Sequence, residues 1–191
     1  MKENKILYKI LKAIYSTLLK TLYRPKVSGI QNIPEEGPII FVGNHRHAFD
    51  PIVVMTYTKR IVHYMAKESI FKGLHGKILE AIGIIKVYRT KSNPVAVSEA
   101  MQVLEQGGTI GIFPEGTRNK EKGLLPFKFG AVKMASATGK KIVPCIITGK
   151  YKVFKSNIEV KFGEALDISN MDLEKANELL RNKMLEMLEE K

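Results

Sequence analysis

His45 and Asp50 stand five residues apart in the stretch Gly43-Asn44-His45-Arg46-His47-Ala48-Phe49-Asp50-Pro51. An apolar run precedes the stretch, and Pro51 can open a helix as its first residue with Asp50 as the cap. Across such a turn the carboxylate can fold back onto the imidazole. A histidine held by a carboxylate is a general-base unit: the acid fixes the tautomer and stabilises the imidazolium formed on proton abstraction. No Gly-x-Ser-x-Gly elbow or Cys-x-x-Cys pair accompanies it, so the base is expected to activate a substrate hydroxyl. Two plainer readings compete. Asp50 can be only a helix cap beside a loop histidine, or His45, His47 and Asp50 can bind a metal, since His-x-His with a nearby carboxylate has ligand spacing. Only His63 and His75 remain to complete such a set, and no metal is expected.

A second constellation, Phe113-Pro114-Glu115-Gly116-Thr117-Arg118-Asn119, follows the apolar run Thr109–Phe113. Gly116 lets backbone approach a ligand, Thr117 offers a hydroxyl, and Arg118 supplies a fork matched to phosphate. Alone, the run reads equally well as a turn with a surface arginine. Its weight comes from position. If both loops leave parallel strands, they share the carboxyl edge of one sheet, where α/β folds bind ligands.

The elements needed to place them are legible. Short apolar runs at Pro38–Val42, Ile61–Met65, Ile84–Val87, Thr109–Phe113, Ile142–Ile147 and Ile158–Phe162 predict strands. Between them, helical spacing appears near 51–59, 75–81, 94–105, 127–138 and 171–190, the last with Ser169 as cap and Asp172 three residues on. Strand–helix alternation predicts an α/β fold, a mixed and largely parallel sheet flanked by helices. Two parts are expected: an amphipathic helix within 1–25 and one domain over 26–191. In that helix Leu7, Leu11, Ile14, Leu18 and Leu22 fall on one arc, flanked by Ile10 and Tyr15, with Lys2, Lys5, Lys9, Lys12 and Lys20 opposite. Such a helix can lie in a membrane interface or pack on its own core.

Composition narrows the partners. Among 191 residues, 31 basic and 19 acidic side chains leave a net charge of +12, which favours an anionic partner. Residues 1–26 carry seven basic side chains against Glu3 alone, half of that excess. The single cysteine, Cys145, excludes an internal disulfide scaffold. No window approaches the roughly 20 apolar residues of a spanning helix, and no signal-peptide pattern is present. Aromatic residues are not interleaved with the basic ones as a stacking platform requires. No nucleic-acid partner is expected, and the chain is expected on the cytoplasmic face of the membrane.

In order along the chain, His45-x4-Asp50, Gly83-Ile84-Ile85-Lys86-Val87-Tyr88-Arg89, Phe113-Pro114-Glu115-Gly116-Thr117-Arg118 and Val143-Pro144 resemble the four blocks of the glycerolipid acyltransferase family. The similarity is strongest to its 1-acyl-glycerol-3-phosphate (lysophosphatidic acid) acyltransferases. The resemblance implies His45 as base with Asp50 as its relay partner, and Gly83, Arg89, Glu115, Gly116, Thr117, Arg118 and Pro144 as substrate-binding positions. It implies lysophosphatidic acid and an acyl thioester (coenzyme A or acyl carrier protein) as substrates, an anionic membrane surface as partner, and no further cofactor. Family members usually carry serine where His47 stands and commonly where Asn119 stands.

Overall fold

The computed structural model describes residues 3–88 and 93–190. Its centre is a seven-stranded sheet: β1 (Lys26–Ser28), β2 (Ile39–Gly43), β3 (Val62–Lys67), β4 (Ile85–Val87), β5 (Thr109–Ile112), β6 (Lys141–Thr148) and β7 (Glu159–Phe162). The spatial order is β1-β7-β6-β2-β5-β3-β4. All pairings are parallel except β6 with β7. The helices are α1 (Lys5–Leu22), α2 (Asp50–Thr56), α3 (Gly73–Ala81), α4 (Pro94–Glu105), α5 (Gly130–Thr138) and α6 (Leu173–Glu189).

Because β2 lies between two neighbours and under helices on both faces, all five of its residues are buried. That is why its sequence is a continuous apolar run rather than an alternating one. Ile40 and Val42 meet the cluster built by α4, α5 and α6, whereas Ile39 and Phe41 meet Leu19 of α1 and Val53 and Val54 of α2. All six expected strands are present within two residues. The short edge strand β1 was not anticipated, since three residues with one half-buried position carry no periodic signal.

Two expected caps are corrected. Asp172, not Ser169, caps α6, accepting the Lys175 N–H at 2.9 Å. Asp50 does not cap α2; its carboxylate turns back into the preceding loop, where better-placed donors await it.

The amphipathic helix α1 is docked on the body and still presents apolar surface. Tyr8 and Leu19 are buried, and the Tyr8 hydroxyl accepts the Val62 N–H at 2.9 Å. Lys12, expected on the charged face, instead donates to the carbonyls of Thr58 and Arg60, and burial lowers its pKa. Outward, Ile6, Ile10, Ile14 and Leu18 recur every fourth residue and are 49–74% exposed, with Lys5 and Lys9 also exposed.

Candidate active site

The loops after β2 and β5 leave neighbouring parallel strands, and they are stitched to each other. The His45 N–H donates to Glu115 Oε1 at 3.0 Å, and the Asn119 N–H donates to the His45 carbonyl at 2.6 Å. Glu115 Oε2 accepts the Leu125 N–H at 2.9 Å. Buried Glu115 therefore has a backbone donor on each oxygen, and it ties the His45 loop to the segment that ends at Leu125. Asn119, where the resemblance suggests serine, is buried and spans its own turn, donating to Gly123 O and accepting from Glu121 N–H.

Asp50 is fully buried. Its Oδ2 accepts the Arg46 N–H at 2.6 Å and the His47 N–H at 2.7 Å, and lies 3.0 Å from His45 Nδ1; Oδ1 accepts the Tyr151 hydroxyl at 2.7 Å. A carboxylate receiving two backbone N–H groups on one oxygen is an acceptor there. His45 Nδ1 must then carry the proton, which leaves Nε2 as the basic nitrogen. The imidazole is further held flat on Phe113, with ring centroids 4.2 Å apart, and Phe113 stacks on Tyr64 at 5.5 Å. A β-carbon at Gly111 would strike the Tyr64 ring, so that glycine makes room for the stack.

Several of these supports were invisible to motif reading. Asn44 is buried; its side chain accepts the Ile147 N–H at 2.7 Å and donates to the Ile147 carbonyl at 2.9 Å. It continues the β2–β6 ladder with side-chain atoms and so pins the root of the His45 loop. Asn44→Ala should leave both Ile147 groups unpaired and lower stability by about 3 kcal/mol, read as a shift in the urea midpoint. Tyr151 comes from the β6–β7 loop; burial first, and then the Asp50 charge, push its pKa well up, so it stays a donor. His47 stacks on Tyr151 at 4.3 Å. Cys145 lies behind the loop root, its thiol pushed up to about 12 by burial and then by Asp50, which disqualifies it as a nucleophile.

Gly116, Thr117 and Arg118 are exposed on the same edge. Gly116 has φ +68°, and a β-carbon there would lie 2.8 Å from Lys128 Cε and Nζ. The end of the Lys128 chain thus lies over the open side of Gly116, which brings a second cation to the turn that carries Arg118. Beside the His45 loop, Arg46, Lys120, Lys150 and Tyr151 help line a recess of about 310 Å³.

Two expected positions fall elsewhere. Gly83 precedes β4 at the amino edge, with φ +80° and its carbonyl 2.8 Å from His63 Nδ1. It is a turn residue that accommodates His63 at the sheet edge opposite the His45 loop. Pro144 is buried within β6, its carbonyl accepting the Gly163 N–H at 2.8 Å where β7 has ended. The missing N–H of proline costs least at that last rung. Arg89 lies outside the described residues. A larger recess of about 520 Å³ at the amino edge involves Arg60, His63 and Thr109, but the Arg60 guanidinium is held by the carbonyls of Pro34, Glu36 and Gly37. Among the described residues, no three His, Cys, Asp or Glu side chains are grouped to hold a metal.

A family model described as acyltransferase matches residues 24–148. The chain belongs to the acyltransferase family. A 1-acyl-sn-glycerol-3-phosphate acyltransferase of Borreliella burgdorferi is 32% identical over 178 residues, covering 85% of this acyltransferase and 71% of its own length. A protein of the same name from Bacillus subtilis is 29% identical, covering 74% and 73%. A chloroplastic relative from Brassica napus is 28% identical and is itself matched over only 41% of its length. The crystal structure of the 1-acyl-sn-glycerophosphate (LPA) acyltransferase of Thermotoga maritima shares the fold, with a TM-score of 0.77 at 23% identity over 100% of this acyltransferase and 85% of that chain.

Proposed function

We propose that this acyltransferase moves a fatty acyl group from an acyl thioester to the sn-2 hydroxyl of 1-acyl-glycerol 3-phosphate, giving phosphatidic acid. The observation that carries the reading is the oriented His45–Asp50 pair, 3.0 Å apart, on the same sheet edge as the exposed Thr117–Arg118 turn. His45 Nε2 takes the hydroxyl proton, and the acceptor oxygen bonds to the thioester carbonyl carbon. The carbon–sulfur bond then breaks, and the proton passes from His45 to the departing thiolate. Aligning the two substrates supplies much of the rate advantage, and no covalent acyl-enzyme is required. Arg118, helped by Lys128 and Arg89, holds the acceptor phosphate.

Acyl-coenzyme A and acyl carrier protein both present a thioester, and the basic recess beside the loop suits the phosphate of either carrier. The test is an assay of purified protein with lysophosphatidic acid and each donor, with phosphatidic acid quantified. Acylation of glycerol 3-phosphate or of a phosphate-free lysolipid in preference would overturn the acceptor assignment.

No helix among the described residues is long and apolar enough to cross a membrane. Peripheral docking on the anionic cytoplasmic face is supported by the outward stripe of α1 beside Lys5 and Lys9. Ile10 and Ile14 are each about half exposed, so replacing both with Asp should spare the fold and abolish flotation with anionic vesicles. Unchanged flotation would leave α1 as a packing element only. Deleting residues 1–23 is a poorer test, because it also removes the buried Tyr8 and Leu19.

A further inference from the structure

The β6–β7 connection, residues 149–158, leaves the carboxyl edge beside the catalytic loop. Its neck is ordered: the Lys150 N–H donates to Asn157 Oδ1 at 2.9 Å, and the Ser156 hydroxyl donates to the Lys150 carbonyl at 3.2 Å. Its tip is a turn closed by the Lys155 N–H on the Lys152 carbonyl at 3.1 Å. The third residue of that turn, Phe154, has φ +58°, a region that favours glycine or asparagine and disfavours a bulky side chain. Yet Phe154 is 71% exposed and Val153 is 49% exposed, so packing within the chain does not account for either. Lys150, Lys152 and Lys155 surround them, all exposed, and no acidic residue lies between 149 and 158. The Phe154 N–H donates to the carbonyl of Leu22, the last residue of α1, at 2.8 Å. At the base of the same loop, Tyr151 meets Tyr23 edge-on at 5.8 Å and bonds Asp50.

We infer that this loop is a second membrane-insertion element, which places Phe154 and Val153 among the acyl chains and its lysines against anionic headgroups, at the C-terminal end of α1. The inference rests on the interfacial reading of α1 given above. A charged ring around exposed apolar residues is matched by an anionic bilayer and by little in water. The backbone of Phe154 is held in its disfavoured conformation by the bond to Leu22, which fixes the tip to the end of the docking helix. Helix and loop together give two points of attachment. They flank the mouth that holds His45, so a lipid acceptor can enter from the bilayer.

The chain has no tryptophan, so Phe154→Trp gives a reporter at that position alone. On phosphatidylglycerol vesicles its emission should shift to the blue and be quenched by brominated acyl chains; on phosphatidylcholine vesicles both effects should be weak. Phe154→Gly, favoured at this φ, should melt no lower than wild type and bind anionic vesicles about tenfold less tightly. Lys152→Gln and Lys155→Gln should each weaken binding about fivefold. Emission unchanged by vesicles that still float the protein would overturn the inference and leave α1 as the sole anchor. If Phe154→Trp responds in a variant carrying Ile10→Asp and Ile14→Asp, the loop inserts even where the reading of α1 fails. These readouts are independent of acyl transfer, so failure of the proposed reaction is seen separately.

Discussion

His45→Ala should lower kcat by about 10²–10⁴-fold, the contribution of a positioned general base, with the melting temperature little changed. The fold should survive because the anchors at this residue are main-chain groups: its N–H on Glu115 and its carbonyl under the Asn119 N–H. Alanine keeps both. Loss of the imidazole also leaves Asp50 with three remaining donors, from Arg46, His47 and Tyr151, so its buried charge is not stranded. Asp50→Asn is a less clean probe, because an amide cannot accept on both sides and would set a donor against donors. Tyr151→Phe is the graded companion; it removes one bond from Oδ1 and should cost only several-fold in kcat. Steady-state kinetics with circular dichroism on each variant checks the set. Activity of His45→Ala near wild type would sink the base assignment.

Arg118→Ala should cost about 2–4 kcal/mol in kcat/KM for the phosphorylated acceptor, through loss of a charge-assisted contact and of orientation. Arg118 is exposed and has no ion pair among the described residues, so its removal should leave stability unchanged. Lys128, packed on the open side of Gly116, supplies a residual cation, and adding Lys128→Gln should deepen the loss. Arg118→Lys keeps charge but not the two-point fork and should raise the acceptor KM more than the donor KM. The control is a monoacylglycerol, which has no phosphate to hold. Wild type should use it poorly, and Arg118→Ala should lose little more. Equal losses on both acceptors would make Arg118 a structural or catalytic residue.

What could be read in advance follows the reach of each signal along the chain. Strand runs and helical spacing are local, and so is His45 to Asp50; they were legible together with the fold class. The contact of Asp50 with His45 follows the expected fold-back, while its cap role is not realised, because its carboxylate accepts the loop amides of Arg46 and His47 instead of those of α2. Asn44 to Ile147 and Tyr151 to Asp50 each join residues about a hundred positions apart, and no spacing announces such pairs. Glu115 and Gly83 show a second limit. A motif marks a residue as constrained without saying which of the protein's own atoms it meets: Glu115 takes the His45 and Leu125 N–H groups, and the Gly83 carbonyl meets His63 Nδ1. Lys12 shows a third, since the same helical arc that exposes Lys9 carries Lys12 over the carbonyls of the α2–β3 loop.

The cross-stitching of the two site loops also bears on how such an enzyme can be remodelled. Each loop supplies the other's backbone partners, so neither is a portable cassette. A chimera that imported residues 44–50 alone would bring a His45 whose amide and carbonyl face loop atoms chosen for a different register. Exchange of 44–50 together with 113–128 keeps the Glu115 bridge and the Asn119 contact within one inherited unit. Variation is better tolerated at the exposed turn of Thr117 and Arg118, which lies between the Glu115 and Asn119 stitches and makes neither. Acceptor preference can therefore drift by changes on that turn while the base stays in place.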